Sequence, residues 1–214
     1  MRTFGRIHLL GTSHIAQQSI DEITAAFSRI NPDIIAIELD KSRLQALLSG
    51  KTKVSVRHIG TVGIKGWLFA KLGSWASKKL GKAVGVDPGA EMKTAIELGK
   101  KQGKRIALID QPIEITLRRF SKALTWKEKG RMVADLFKVR KEKIDLCKVP
   151  EQELIERLIE EIKQRYPSIY KVLIEERNSF MADKLKKLAD LYPEAIVLAI
   201  VGAGHVSGIS ELLK

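Results

Sequence analysis

The sequence predicts an α/β fold with a mainly parallel central sheet of at least four strands, flanked by helices. Mainly apolar runs at 7–10, 34–37 and 195–201 are typical of buried strands, and the run at 34–37 is also rich in β-branched residues. Between the first two runs, apolar residues recur at helical spacing from Ile20 to Ile30, which indicates an amphipathic helix. Strand, helix and strand in this order form a βαβ unit, so the two strands should be parallel.

The remaining elements are predicted from caps, prolines and apolar periodicity. Asp87 and Pro88 are typical of a helix start, and Gly103 closes that helix before a strand at 105–109. Thr125 and Glu128 have the spacing of a capping box, which predicts that a helix begins there. The other predicted helices lie at 43–48, at 113–124, after Pro150, from Pro167 to about Tyr192, and from Ile209 onward; the capping-box helix runs to about Cys147.

Length and composition indicate one soluble domain. The 214 residues are 44% hydrophobic, which suffices for a sizeable core, so we treat residues 1–214 as a single domain. Cys147 is the one cysteine, which excludes an internal disulfide and is typical of a reducing compartment. No apolar run approaches the ~20 residues that a membrane span requires. We therefore expect a cytoplasmic protein.

The formal net charge of +13 is concentrated in one segment. No acidic residue lies between Asp40 and Asp87, whereas many lysines and arginines do. Basic segments can bind nucleic acid or anionic membranes with affinities that fall steeply with salt. Such binding would give no role to the glycine–histidine turns described below, so we do not expect a nucleic-acid partner.

A helical excursion is predicted at residues 51–83, where glycines interrupt an apolar and basic mixture. Trp67, Phe69 and Trp75 need cover, and the basic residues have no acidic partner within the segment. The alternatives are packed scaffold with a solvated lysine face, a membrane-surface patch, a lid over the strand ends, or a surface for assembly into a homo-oligomer.

Two histidines each follow a glycine turn at the end of a predicted strand. Gly11 precedes His14 by three residues, and Gly202 precedes His205 in the same way, while Glu38 follows the strand at 34–37. The carboxyl ends of parallel strands meet at one edge of a sheet, where such folds bind ligands. Two imidazoles and a carboxylate can bind a divalent metal with an open position. The same groups can instead work without metal, with one histidine as general base.

Charged residues on predicted helices provide further candidates. Glu176 and Arg177 follow Leu173 by three and four residues, on the apolar stripe of their helix. Buried charges need partners, which are each other, other side chains or a ligand. We expect Arg177→Leu to stay folded and lose function. Of Arg118 and Arg119, we expect one to point inward, where an arginine fork suits a carboxylate or a developing oxyanion.

Six short motifs, in this order, carry a resemblance to a known family. They are Gly11-Thr12-Ser13-His14, Glu38-Leu39-Asp40-Lys41-Ser42-Arg43, Gly85-Val86-Asp87-Pro88-Gly89-Ala90-Glu91-Met92, Thr116-Leu117-Arg118-Arg119, Glu176-Arg177-Asn178 with Met181, and Gly202-Ala203-Gly204-His205. With these motifs, nearly the whole chain resembles the TraB/PrgY pheromone-shutdown family. That family is related to the Tiki metalloproteases and, more distantly, to erythromycin-esterase-like and ChaN-like proteins.

The resemblance implies an active site and a set of residues for it. The implied catalytic residues are His14, Glu38, His205 and Glu91; the implied substrate-binding residues are Arg43, Arg118 and Arg177. His14, Glu38 and His205 would hold a divalent metal, with manganese, cobalt and zinc as the alternatives. The sequence departs from the family where Gln111, in place of an expected arginine, follows Asp110.

The expected function is hydrolysis, of a peptide above all and otherwise of a small molecule, through a metal or a histidine-activated water. The alternative is a regulator that binds a peptide without cleaving it. Members of the family often continue into hydrophobic C-terminal segments. We therefore expect this chain to be cut before such a region, through which the full-length protein would be anchored to a membrane.

Overall fold

The computed structural model of the protein describes residues 1–12, 16–49, 89–138 and 151–214. Within these residues, a five-stranded sheet has the order β1-β2-β5-β3-β4. Its strands are β1 (Arg2–Phe4), β2 (Ile7–Thr12), β3 (Ile34–Ile37), β4 (Arg105–Leu108) and β5 (Val197–Gly202). All neighbouring pairs are parallel except β1 and β2, so the predicted α/β fold with a mainly parallel sheet is confirmed.

Helices connect and cover these strands. They are α1 (Ala16–Ile30), α2 (Lys41–Ser49), α3 (Ala90–Lys101), α4 (Ile113–Ala123), α5 (Trp126–Lys138), α6 (Glu151–Arg165), α7 (Pro167–Tyr170), α8 (Glu176–Leu191) and α9 (Ala203–Leu213). A π-helical turn at Lys171–Glu175 joins α7 to α8, so residues 167–191 form one continuous helical rod.

Strand β5 lies at the centre of the sheet, although it comes last in the chain. Val197 is in register with Ile7 of β2 on one side and with Ile34 of β3 on the other. All six residues of β5 are buried, as are all four of β3. This explains why their sequences are continuously apolar instead of alternating, because helices cover both faces of the sheet.

Two hydrophobic clusters sandwich the sheet, and successive strand residues enter opposite clusters. Leu9 packs with side chains of α8 and α9, including Met181 and Ile209. Leu10, the next residue, packs with α1 and α3, including Phe27. The period of two along a strand thus places a helical layer on each side.

The N-terminal edge strand and the start of the last helix differ from the sequence prediction. Strand β1 was not predicted, because it has only three residues, two of which, Arg2 and Thr3, are polar and exposed. Helix α9 begins at Ala203, directly after β5, and not at Ile209 as predicted. Its glycines each lower helix propensity by about 1 kcal/mol relative to alanine. Packing overrides that cost: a Cβ on Gly204 would lie 3.0 Å from Ile159 Cδ1, so a larger residue would crowd helix α6.

The capping box was predicted correctly. The Glu128 backbone N–H donates to Thr125 Oγ1 at 3.2 Å, and the Thr125 N–H donates to Glu128 Oε2 at 3.0 Å. The predicted excursion at 51–83, the Asp87 cap and the end of the capping-box helix near Cys147 lie outside the described residues. In the part of the chain that the structure describes, none of the helices has the length and apolar content that a bilayer crossing requires.

Candidate functional site

The site lies at the carboxyl edge of the sheet, where four parallel strands end side by side. Thr12 of β2 is in register with Gly202 of β5. Beside them, Glu38 follows β3 and its N–H donates to the Ile200 carbonyl at 3.1 Å, which extends the ladder past the strand. Asp110 follows β4 in the same way, since its N–H donates to Leu39 at 3.3 Å. The sheet therefore presents Glu38 and Asp110 at one edge.

The Glu38 carboxylate is held from three directions. Its Oε2 accepts a hydrogen bond from the Gly202 N–H at 2.6 Å. Its Oε1 pairs with Arg177 Nη2 and lies 3.3 Å from His205 Nε2. Burial by itself would raise the pKa of Glu38, but His205, Arg177 and the Gly202 N–H together hold it well below its usual range. Glu38 is therefore an anion fixed at the centre of the site.

His205 lies in the first turn of α9 and is only 5% exposed. Because β5 passes directly into α9 after Gly202, the imidazole lies only three residues beyond the end of the strand. Its Nε2 faces Glu38, while its Nδ1 lies 2.6 Å from Oδ1 of Asn178 on helix α8. Each ring nitrogen thus faces an oxygen atom, one of a strand-end carboxylate and one of a buried amide.

Asp110 links two arginines. Its Oδ2 pairs with Arg177 Nη2 at 2.6 Å and also with Arg43 Nη2, and its side chain is 0% exposed. Arg43 in turn donates from Nε to Asp40 Oδ2 at 2.6 Å. We call Asp40, Arg43, Asp110, Arg177 and Glu38 the ion-pair network. It alternates anion and cation along the carboxyl edge and reaches His205 at one end.

Asp40 also fixes the start of helix α2. Its Oδ1 accepts the backbone N–H groups of Ser42 at 2.8 Å and Arg43 at 3.0 Å. These are among the N–H groups that have no partner within a helix, and an aspartate cap satisfies them. The strand-end motif from Glu38 to Arg43 therefore places an anion, a helix cap and a cation within six residues.

Arg177 is engaged almost entirely by protein groups. Besides Glu38 and Asp110, it donates from Nη1 to the Leu173 carbonyl at 3.3 Å. Burial would lower the pKa of Arg177, but Glu38 and Asp110 outweigh it and raise the pKa, so the guanidinium stays charged. Arg43 is less enclosed, with a side chain 31% exposed, and is the member of the network that is more open to solvent.

The other predicted arginines lie away from this network. Arg119 pairs with Glu176 through two of its guanidinium nitrogens, Nε and Nη2. Glu176 and Arg177 therefore do not pair with each other, although they are adjacent. Arg118 is exposed on helix α4, so it does not point inward, and its neighbour Arg119 is held at the surface.

Glu91 and His14 complete the predicted set. Glu91 lies in the first turn of α3 and is 3% exposed. Helix α3 ends at Lys101, just before β4 begins at the opposite edge, so its first turn lies toward the carboxyl edge. His14 lies outside the described residues, and its convergence with Glu38 and His205 stays a prediction.

Sequence reasoning missed three members of the site, Asp40, Asp110 and Asn178. Asp110 carried a usable signal, because it ends a strand as Glu38 does. Asn178 carried none beyond its place beside Arg177 in a motif, since its role depends on helices α8 and α9 packing together. Gly208 leaves room for the Asn178 side chain, and this relation between the two residues can be seen only in the structure.

The described residues contain part of the predicted metal-ligand set. Among the described residues, no group of three or more His, Cys, Asp or Glu side chains is placed to hold one. Two of the three predicted ligands, Glu38 and His205, lie together, and imidazole nitrogen and carboxylate oxygen suit zinc, manganese and cobalt. Arg177 already occupies the Glu38 oxygen nearer His205, so a cation there would have to share that oxygen with the guanidinium.

Comparison with known proteins identifies relatives along nearly the whole chain. An uncharacterized protein of Methanocaldococcus jannaschii is 36% identical over 214 residues, covering 97% of this chain and 53% of that protein. The human TraB domain-containing protein is 26% identical over 239 residues, covering 96% of this chain and 62% of that protein. The chain thus spans about half to three fifths of the length of these relatives.

A solved structure with a distant likeness is an erythromycin esterase mutant in its open conformation. It is 14% identical, with a TM-score of 0.37, over 92% of this chain and 60% of that one, which is too weak to bear on function. The sequence pattern of the TraB/PrgY/gumN family, in contrast, matches residues 2–214. Together with the archaeal and human relatives, this match shows that the chain belongs to the TraB/PrgY/gumN family.

Proposed function

We propose that this protein is a hydrolase whose active centre is the pair of His205 and Glu38, completed by His14. The observation that carries the proposal is the placement of Glu38 between a buried histidine and a largely buried arginine, at the sheet edge where α/β folds bind ligands. A structural ion pair needs no histidine at its end. A hydrolytic centre needs a base whose orientation and charge are controlled.

In a metal-free reaction, His205 acts as the general base. Its Nε2 takes a proton from a water molecule as the water oxygen attacks the substrate carbonyl, and the imidazolium later gives that proton to the leaving group. Glu38, 3.3 Å away, stabilises the positive charge that forms on the ring. Arg177 and the Gly202 N–H keep Glu38 ionised for this task.

The alternative form of the same proposal includes a divalent metal held by His14, Glu38 and His205. When bound, such an ion supplies a water of lowered pKa, near neutrality, as the nucleophile. His205 and Glu38 would then serve as ligands, with Asn178 and Arg177 orienting them from behind. Zinc, manganese and cobalt suit this donor set.

We propose a peptide as the substrate class, with arginines to hold it. Arg43 supports this assignment because its side chain is 31% exposed and extends from the site toward solvent. Arg118 is exposed on helix α4 and would bind a substrate carboxylate farther out. Arg177 has less to offer a substrate, since it donates to Glu38, Asp110 and Leu173. Glu91 is proposed as a further carboxylate of the site.

A defined peptide mixture tests this proposal. Purified protein is incubated with synthetic peptides, and cleavage is followed by mass spectrometry for the wild type and for His205→Ala and Glu38→Gln. We expect both substitutions to lower the rate by roughly 100-fold or more, the usual contribution of a positioned acid–base group. The matched control is His8→Ala, since His8 lies on β2 and bonds Thr3 at the far edge strand.

A peptide-binding regulator without turnover is the rival function. The regulator is supported by the hydrogen bonds that Glu38 and Asp110 already accept from protein donors. A network whose acceptors are already satisfied can serve recognition without taking part in chemistry. Peptide binding without cleavage in the wild type would establish this rival. Cleavage that survives in His205→Ala would remove His205 from the centre.

A further inference from the structure

We propose that Asn178 is a positioning residue that fixes the orientation and the tautomer of His205, so that Nε2 is the nitrogen that meets the reacting atoms. The catalytic role of this positioning rests on the proposed function. Its structural content, which nitrogen carries the proton and why, can be measured without any turnover.

The contact between the two side chains is buried and short. Asn178 and His205 are each 5% exposed, and Asn178 Oδ1 lies 2.6 Å from His205 Nδ1. An amide oxygen can only accept a hydrogen bond, so Nδ1 must carry the proton that it receives. A neutral imidazole has one N–H, which leaves the lone pair on Nε2.

That lone pair lies on the side of the ring that faces the site. Glu38 Oε1 is 3.3 Å from Nε2 and is itself an acceptor. The Nε2 lone pair and the carboxylate do not attract each other while the ring is neutral. Once Nε2 holds a proton or a cation, the carboxylate stabilises the positive charge. The geometry therefore places Nε2, and not Nδ1, on the side where a substrate or a cation would lie, next to the Glu38 carboxylate.

Gly208 makes room for the asparagine. A Cβ at Gly208 would lie 2.1 Å from Asn178 Nδ2 and 3.1 Å from Asn178 Cγ. Gly208 is three residues after His205 on α9, so both lie on the same face of that helix. The amide thus rests on the helix with its nitrogen over Gly208 and its oxygen toward the imidazole.

Helix α8 therefore controls both members of the proposed centre with consecutive residues. Arg177 holds the Glu38 carboxylate, and Asn178 holds the His205 ring. Outer partners of this kind typically change metal affinity or activity by about 10–100-fold when they are removed.

The test is the ¹⁵N spectrum of the histidine rings at alkaline pH, where the imidazoles are neutral. Two-bond proton–nitrogen correlations report which ring nitrogen is protonated, and His205→Ala identifies the His205 signals among the four histidines. We expect the Nδ1–H tautomer in the wild type. Asn178→Ala should move His205 toward the Nε2–H form, which free histidine prefers, whereas Asn178→Asp keeps an oxygen opposite Nδ1 and should preserve the wild-type pattern.

Gly208→Ala provides a second route to the same result without altering either partner. The added methyl group must displace the asparagine, so the tautomer should shift as it does in Asn178→Ala. The matched control is Gly130→Ala, also within a helix, where a Cβ meets nothing within 4 Å and the His205 spectrum should not change.

Two results would overturn the assignment: an Nε2–H tautomer in the wild type, or an unchanged tautomer in both Asn178→Ala and Gly208→Ala. Where the wild type cleaves peptides, kcat/KM of Asn178→Ala should fall by about 10–100-fold, with KM little changed. Where the tautomer behaves as expected and no cleavage is found, the hydrolase proposal fails and the role of Asn178 stands.

Discussion

At the scale of single residues, Arg177 joins the two strand-end carboxylates. It is 15% exposed and pairs with Glu38 and Asp110, whose side chains are 11% and 0% exposed. The expectation that Arg177→Leu would leave a stable protein must therefore change, because leucine would leave two buried carboxylates without this cation. Breaking such an arrangement costs roughly 3–5 kcal/mol. We expect a loss of that size in the free energy of unfolding, measured with urea.

The control for that measurement is Arg119→Leu on the neighbouring helix. Arg119 pairs with Glu176 but its side chain is 55% exposed, so solvent screens the pair and its loss should hardly change stability. Equal stability of Arg177→Leu and Arg119→Leu would show that Glu38 and Asp110 find other partners.

Glu38 gives a prediction about pH. Its pKa is lower in the folded protein than in the unfolded chain, where a glutamate has a pKa of about 4.3. The stabilisation it contributes is therefore complete above that value and is lost as the pH falls through the folded pKa. At neutral pH, Glu38→Gln should be less stable than the wild type by about 1.5–3 kcal/mol, the usual contribution of hydrogen bonds to a charged group.

On acidification, the stability difference between the wild type and Glu38→Gln should shrink below about pH 4. Denaturant unfolding across this range measures it. Glu97→Gln is the control, since Glu97 is 66% exposed and pairs only loosely with Lys93 at 3.8 Å. A difference that grows as the pH falls would mean that Glu38 is protonated in the native protein.

At the scale of elements, Glu128 joins two helices that the sequence treats separately. The capping box with Thr125 was predictable from spacing, but the Ser168 N–H also donates to Glu128 Oε1 at 2.8 Å. One buried carboxylate thus caps α5 and anchors the start of α7, and these bonds lower the pKa of Glu128 despite its burial. Glu128→Ala should cost about 1–3 kcal/mol, since it leaves these donors without their acceptor.

Thermal unfolding of Glu128→Ala beside Glu97→Ala measures this contribution. The exposed Glu97 also lies in a helix. Comparing the two variants therefore separates the effect of losing the helix caps from the effect of losing a negative charge on a helix. A melting temperature of Glu128→Ala equal to that of Glu97→Ala would show that water replaces the carboxylate at both helix starts.

The elements also show what a sequence pattern can and cannot specify. The strand at 34–37 was predictable because both of its faces are covered, which demands apolar residues at every position. Strand β2 is apolar at the buried positions Ile7, Leu9 and Leu10, but it also carries the half-buried His8. The start of α9 was missed because Gly204 and Gly208 weaken the helix locally. Close contacts require these two glycines: Gly204 faces Ile159 and Gly208 faces Asn178, which lie on other helices.

At the scale of the whole molecule, the site depends on strand order. Strand β5 inserts between β2 and β3, so Gly202 lies beside Thr12 and within hydrogen-bond reach of Glu38, although these residues are far apart in sequence. The rule that parallel strands end at one edge sufficed to predict that His205 and Glu38 meet. It did not give the strand order, nor the helix that supplies Arg177 and Asn178, because no local pattern encodes how α8 packs on the sheet.

The proposed metal site belongs to the scale of the whole molecule, because its ligands would come from three separate segments. Elemental analysis of purified protein should find about one divalent ion per chain, and His14→Ala combined with His205→Ala should abolish it. The matched control is the double variant His8→Ala with His58→Ala, which removes the other two of the four histidines.

Melting temperature provides the independent measurement. An ion that binds only the folded chain stabilises it by about 2.7 kcal/mol at one hundred times its dissociation constant. Added zinc, manganese or cobalt should therefore raise the melting temperature of the wild type and of the control double variant, but not that of His14→Ala with His205→Ala. An equal rise in all three would place the ion elsewhere. Peptide cleavage that persists in metal-free protein would instead assign the chemistry to His205 as a general base, with Glu38 stabilising its charge.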